Sequence, residues 1–219
     1  MHIPDGFLDL KTALTTAIAS IGGLGYAVKE IRKKLGDKHI PLLGVTGAFI
    51  FAAQMLNFPI AGGTSGHFLG GALAAILLGP WASLLIMTVV LAIQCLGFAD
   101  GGLTALGANV FNMGIIGGVL TYYLIFLPLK TLLPETKGGF LTASAVVAWA
   151  SVFIASIICS LELVISKKSP LNVALPAMAG VHALIGIGEA IITVVVLAVV
   201  IQVRPDLIRG YSKPEEKAA

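Results

Sequence analysis

The sequence predicts an all-α integral membrane protein with seven transmembrane helices, its N-terminus outside the cell and its C-terminus cytoplasmic. Three observations carry this. First, 57% of the 219 residues are hydrophobic and only 11% are charged, with a mean hydropathy of +0.97. A water-facing domain carries about 25% charged residues, so lipid is the solvent this surface fits. Second, seven apolar stretches can be read, at 12–28, 42–58, 65–79, 81–98, 106–127, 140–165 and 174–202. A crossing needs about 20 such residues. Third, Lys and Arg fall in alternate loops. Lys29, Arg32, Lys33, Lys34 and Lys38 follow the first stretch, Lys130 and Lys137 the fifth, and Arg204, Arg209, Lys213 and Lys217 the last, which is 11 of the 14 basic residues. The excess of Lys and Arg marks the cytoplasmic side.

The 65–79 stretch is short and Gly-rich at its start, so it reads as a short or re-entrant helix, and Gly79-Pro80 is a turn that separates it from the next. A single transmembrane domain is expected over 1–205, with a loop at 1–9 ahead of the first helix and a polar cytoplasmic tail at 206–219. The start, Met1-His2-Ile3-Pro4-Asp5-Gly6, has no Lys or Arg before Lys11, unlike a signal peptide, so this end is expected to be retained. Cys95 and Cys159 lie inside apolar runs, form no CxxC pair and read as packing residues. Basic residues do not interleave with aromatics, which argues against nucleic acid as a partner. No HExxH pair is present, so an intramembrane metalloprotease ranks last, and no enzymatic activity is expected.

Chemistry concentrates at the N-terminus. A free α-amine followed by histidine offers three nitrogens in fused chelate rings: the amine of Met1, the deprotonated amide of His2 and its imidazole. Nitrogen donors in a plane suit Ni(II) and Cu(II), and Co(II) less rigidly, whereas Ca(II) and Mg(II) prefer oxygen. Pro4 and Asp5-Gly6 form a turn signal able to fold the arm back into the bundle. A fourth nitrogen would come from another histidine. His39 lies in the cytoplasmic basic loop, so His67, in a Gly-rich outer segment, is the first choice and His182 the second. Such a site releases protons on binding and weakens below about pH 6.5, the pKa of free histidine.

Other polar residues inside the apolar stretches are Gln54, Asn57, Gln94, Asp100, Asn109, Asn112, Glu162 and Glu189. Intramembrane polar groups are costly, and function is their default reading. Metal-bound histidines usually donate their second ring N–H to a neighbour. Asn57, Thr64, Ser65, Asp100, Asn109 and Asn112 are therefore expected to support the arm or His67, with His182 a further candidate. Glu189 lies seven residues after His182 on one helix face. A carboxylate there would also serve an ion-coupled, stand-alone transporter, the competing functional reading.

The opening Met1-His2-Ile3-Pro4-Asp5-Gly6-Phe7-Leu8 resembles the start of the CbiM/NikM family. These are the substrate-binding membrane subunits (S components) of energy-coupling-factor (ECF) transporters for cobalt and nickel. The resemblance recurs at Gln54–Ile60, Gly63–His67, Asp100–Gly102, Leu106–Met113 and His182–Glu189. It implies a six-helix S-component core plus one N-terminal helix, and a cell-membrane location. It implies a metal held in an approximate square plane by nitrogens matching Met1, His2 and His67. The transported substrate is then Ni(II) or Co(II), with nickel favoured because a planar nitrogen set with a deprotonated amide suits low-spin d⁸ Ni(II). The implied partners are a transmembrane coupling subunit and two cytoplasmic ATPase subunits, with a small accessory membrane subunit left open. The chain lacks a GxxxxGK loop followed by Ser or Thr, as a subunit without its own ATPase should. Ala48 and Ala52 make a small-xxx-small pair on the second helix, expected either to meet the coupling subunit or to pack within the monomer. Metal supply for cobalamin synthesis or nickel enzymes is the implied physiology.

Overall fold

The computed structural model describes residues 1–34, 36, 39–209 and 211. Lys38, Lys213 and Lys217, and with them most of the expected tail, lie outside the described residues. Of the described residues, 77% are helical. An arm of nine residues leads into α1 (Leu10–Lys34), followed by α2 (Ile40–Gln54). A two-residue hairpin of β1 (Phe58–Pro59) and β2 (Ser65–Gly66) then leads into the short α3 (Gly71–Leu78). The remaining helices are α4 (Pro80–Phe98), α5 (Leu106–Leu132), α6 (Lys137–Ile165) and α7 (Leu171–Val203).

Among the described residues, α4, α5, α6 and α7 are long and apolar enough to cross a membrane. α2 is apolar but only 15 residues long, and α3 has eight. At 1.5 Å per residue, α3 covers only about 12 Å. The chain nevertheless travels the length of the bundle between Gly62 and Gly79. Ser169, just before α7, donates to the Gly62 carbonyl at 2.8 Å, while Arg209, beyond the other end of α7, donates its backbone N–H to Leu77 at 2.9 Å. An extended segment covers the first part of this path and α3 the second. Gly70, with φ +82°, makes the bend between them, where a Cβ would meet the Ile50 side chain.

All eight residues of α3 are buried, and its sequence is apolar on every side, as a central helix requires. Glycines let its neighbours close in. Gly71 lies against the backbone of Met113 and Gly117, and Gly118 faces Ser83, whose hydroxyl donates to the Gly71 carbonyl at 2.7 Å. Small residues at helix contacts supply packing where hydrocarbon outside the protein offers no hydrophobic drive. Much of α5, over Phe111–Leu120 and Tyr122–Phe126, winds in wide π-type turns, a geometry frequent near functional sites. On α7 the pattern is inverted relative to a water-soluble helix. His182, Gly186, Glu189 and Thr193 face inward, while Leu184, Ile187, Ile191, Val195 and Val199 are exposed.

Candidate metal site

The arm enters the bundle because its first three residues suit burial. Met1 and Ile3 are fully buried and His2 is nearly so. Burying apolar side chains of this size contributes about 1.5–3 kcal/mol each. The arm's backbone groups are met one by one. Ile3 N–H donates to Asn109 Oδ1 at 2.8 Å, and its carbonyl accepts from Asn109 Nδ2 at 3.2 Å and from Gly102 N–H at 2.8 Å. Asp5 Oδ1 accepts from Thr104 N–H at 2.7 Å and from the Thr104 hydroxyl at 2.5 Å. Gly102 must be glycine for this fit: a Cβ would fall on the backbone of Pro4 and Asp5.

The arm's tip meets His67 and Ser65. The Met1 amine lies 2.6 Å from His67 Nε2 and donates to the Ser65 carbonyl at 2.6 Å and the Ser65 hydroxyl at 3.0 Å. His2 N–H donates to the same hydroxyl at 3.0 Å. The hairpin register, Phe58 opposite Gly66 and Pro59 opposite Ser65, fixes where Ser65 presents these acceptors. The His2 and His67 rings stack with centroids 4.4 Å apart.

Hydrogen bonds on the outer ring nitrogens set both tautomers. His67 Nδ1–H donates to the Phe68 carbonyl at 2.6 Å, which leaves a lone pair on Nε2 facing the amine. His2 Nε2–H donates to Gln94 Oε1 at 3.0 Å, which leaves a lone pair on Nδ1. That Nδ1 is buried, has no hydrogen bond and sits 3.3 Å from Asp100 Oδ1. A buried nitrogen lone pair beside a carboxylate calls for a cation between or near them.

Burial disfavours the charged forms of the Met1 amine and the His2 ring. Burial lowers the Met1 amine from 8.0 to about 5, against the raising influence of Cys159 and Asp100. Burial, then the neighbouring amine charge, lowers His2 to about 3, with Gln94 opposing. Burial raises Asp100, opposed by the amine and by Asn57, whose Nδ2 donates to Asp100 Oδ2 at 2.7 Å.

The remaining candidates divide. Ser65, Asp100 and Asn109 touch the arm directly, and Asn57 reaches it through Asp100. Thr64 turns away, its N–H and hydroxyl facing Met178 Sδ and the hydroxyl also facing Cys159. Asn112 donates to Glu162 Oε2 at 2.6 Å. His182 donates from Nδ1 to the Met178 carbonyl at 2.7 Å, and its ring also faces the backbone of Ser65, beside the arm. Gln94 and Gly102 hold the arm without having been singled out for it; a lone Gln in an apolar helix was the available signal for the first. Among the described residues no three His, Cys, Asp or Glu side chains gather to hold a metal. The candidate set here draws half its donors from the main chain.

A family described as the cobalt uptake substrate-specific transmembrane region matches residues 2–207. The chain belongs to this CbiM family. One relative, from Archaeoglobus fulgidus and provisionally named a fused nickel transport protein (NikMN), is 46% identical over 220 residues, covering 100% of this chain and 71% of the relative. Another, from Methanosphaerula palustris and provisionally named a cobalt transport protein (CbiM 1), is 35% identical over 182 residues, covering 82% and 73% of the two chains. The crystal structure of a truncated transition metal transporter superposes with a TM-score of 0.85 at 35% identity, over 92% of this chain and 99% of that one. This CbiM-family chain is accordingly a multi-pass membrane protein of a transport family.

Proposed function

We propose that this protein is the substrate-binding component of an ECF-type nickel/cobalt importer, which captures Ni(II) or Co(II) at its outer face through four nitrogens. The observation that carries this reading is the buried contact of the Met1 amine with His67 Nε2 at 2.6 Å, beside a His2 ring stacked on His67 and a His2 N–H that shares the Ser65 hydroxyl with the amine. Metal–nitrogen bonds are about 2.0–2.1 Å, so neighbouring corners of a square plane lie about 2.9 Å apart. The 2.6 Å separation of the Met1 amine from His67 Nε2 needs only a small adjustment to match. The Ser65 hydroxyl accepts from His2 N–H at 3.0 Å, along the direction that a metal bound to the deprotonated nitrogen would take, so the hydroxyl would turn aside as the metal enters. Asp100 offsets the positive charge the cation brings. Nickel is the favoured cargo, because a deprotonated amide in a planar set suits low-spin d⁸ Ni(II).

Seven crossings fit this role, with the 62–78 segment counted as one. The arm, the hairpin and the 99–105 loop gather at one end. Arg209 meets Leu77 at the other, where Tyr26 of α1 stacks edge-on against Trp81 at 4.6 Å. The arm end is then outside and the basic end cytoplasmic. Inward release would depend on the coupling subunit and two ATPases. Ala48 and Ala52 are exposed on α2 and free to meet such a partner. Replacing both with Leu should leave metal affinity unchanged while abolishing ATP-driven uptake in vesicles carrying all subunits. Normal assembly and uptake would remove this face from the interface. The importer reading itself is tested by metal uptake into vesicles holding this chain alone or with its ATPase partners. Uptake by the chain alone, driven by an ion gradient, would contradict it.

Burial changes the expected pH behaviour. A free-histidine site would weaken below about pH 6.5, but here the amine is neutral down to about 5 and His2 to about 3. At pH 7 only the His2 amide proton remains to be displaced, so binding should release about one proton. Below about pH 5 the count should rise toward two and affinity should fall more steeply. Calorimetry in buffers of different ionisation enthalpy measures this number. Two protons at pH 7 would mean the amine sits protonated in water and the arm is not docked.

A further inference from the structure

His67 reaches the arm on a four-residue strap, His67–Gly70, that joins β2 to α3. Side chains from two distant helices grip this strap. Glu189 of α7 accepts from Leu69 N–H through Oε2 and from Gly70 N–H through Oε1, both at 2.7 Å. Gln54, the last residue of α2, donates from Nε2 to the Leu69 carbonyl at 2.6 Å. Both side chains are essentially fully buried. We propose that Glu189 is a positioning residue for His67, holding the strap so that Nε2 reaches the metal.

Backbone N–H groups buried ahead of a helix need acceptors, and a carboxylate is the strongest common one. A local Ser, Thr, Asp or Asn would usually serve. Here the acceptor comes from a helix 120 residues away in sequence and takes the two N–H groups that follow the His67–Phe68 pair. The strap has no freedom to slide: the Phe68 carbonyl is taken by the His67 ring, the Leu69 carbonyl by Gln54, and both following N–H groups by Glu189. A shift of α7 relative to α2 would therefore move the fourth nitrogen without touching the three on the arm.

This inference rests on the four-nitrogen site proposed above, and its test separates the two. The full-length, C-terminally tagged protein is compared as wild type, His67→Ala, Glu189→Gln and the double variant, with Ni(II) as probe against a competing chelator. In Glu189→Gln an NH₂ group faces one of the two backbone N–H groups, so the grip is lost. Loss of a group supporting a ligand commonly costs about 10–100-fold in affinity, and that loss is expected for Glu189→Gln. The double variant should bind no more weakly than His67→Ala alone, because interactions acting through one group do not add. The visible spectrum of Ni(II)-loaded Glu189→Gln should shift to match that of His67→Ala, a change that general destabilisation does not produce. Additive losses, or a wild-type spectrum in Glu189→Gln, would overturn the proposal. A wild type without a planar four-nitrogen spectrum would instead sink the site. If Glu189→Gln is not recovered folded, Glu189→Asp and Gln54→Ala enter the same cycle. Failure of those as well would assign the grip to folding alone and overturn the proposal.

Discussion

One residue added before Met1 should reduce Ni(II) affinity by at least about 100-fold, more than the loss of a supporting group costs. The extension turns the amine into an amide and pushes the new amine away from His67, and there is no room for it. Met1 is fully buried and its nitrogen is already within 2.6 Å of both the Ser65 carbonyl and His67 Nε2. Acetylation should have the same effect, because it removes the amine's basic lone pair and adds bulk where Met1 is fully buried. A C-terminal tag should leave binding intact, and His39→Ala should do the same, because His39 lies at the start of α2, away from the arm. Mass spectrometry of the purified chain fixes which residue actually comes first. Affinity measured with and without the extension then decides, and equal affinities would remove the amine from the ligand set.

Gly102→Ala should cost as much as losing a ligand, although Gly102 touches no proposed donor atom. Its Cβ would lie 2.6 Å from the Pro4 carbonyl carbon and 2.7 Å from Asp5 Cα, both backbone atoms that cannot swing aside. The cheapest response is for the arm to leave its groove, which also gives up the hydrogen bond from Gly102 N–H to Ile3. A 100-fold loss corresponds to about 2.7 kcal/mol, less than the burial of Met1 and Ile3 supplies. The helix bundle should remain folded, since its helices also pack directly on one another. Gly97→Ala and Gly188→Ala are the controls, as a Cβ meets nothing within 4 Å at either position. Titration of all three variants with Ni(II) checks this, and wild-type affinity in Gly102→Ala would show that the arm is not held where the structure has it.

The contrast between these two positions explains what the sequence could reveal. Met1, His2 and His67 stood out in the sequence because their donor atoms define a chemistry whatever the fold, and the structure brings them together. Ser65, Asp100 and Asn109 were legible as polar residues in an apolar chain. Thr64 and Asn112 look the same in sequence, yet the structure turns them toward Met178 and Glu162. Nothing in residue type distinguishes the two groups, since the facing direction is set by the wide turns of α5 and the hairpin register. Gly102 and Glu189 stand in segments that carry the resemblance, but their roles were not legible, for a different reason. Both act on backbone groups of distant segments, an interaction that leaves no pattern in their own neighbourhood. The fold shows the same division. The long apolar stretches at 81–98, 106–127, 140–165 and 174–202 correspond to α4 to α7. The third stretch is a short helix of eight residues preceded by extended chain, because the strap must present His67 before α3 can begin.

X-ray absorption at the nickel edge of the loaded protein tests the central claim most directly. The account predicts four nitrogen neighbours at a single short distance, with the edge features of a planar Ni(II) centre, and loss of one of the four in His67→Ala. Six longer oxygen or mixed neighbours in an octahedral arrangement, unchanged by an N-terminal extension, would contradict it.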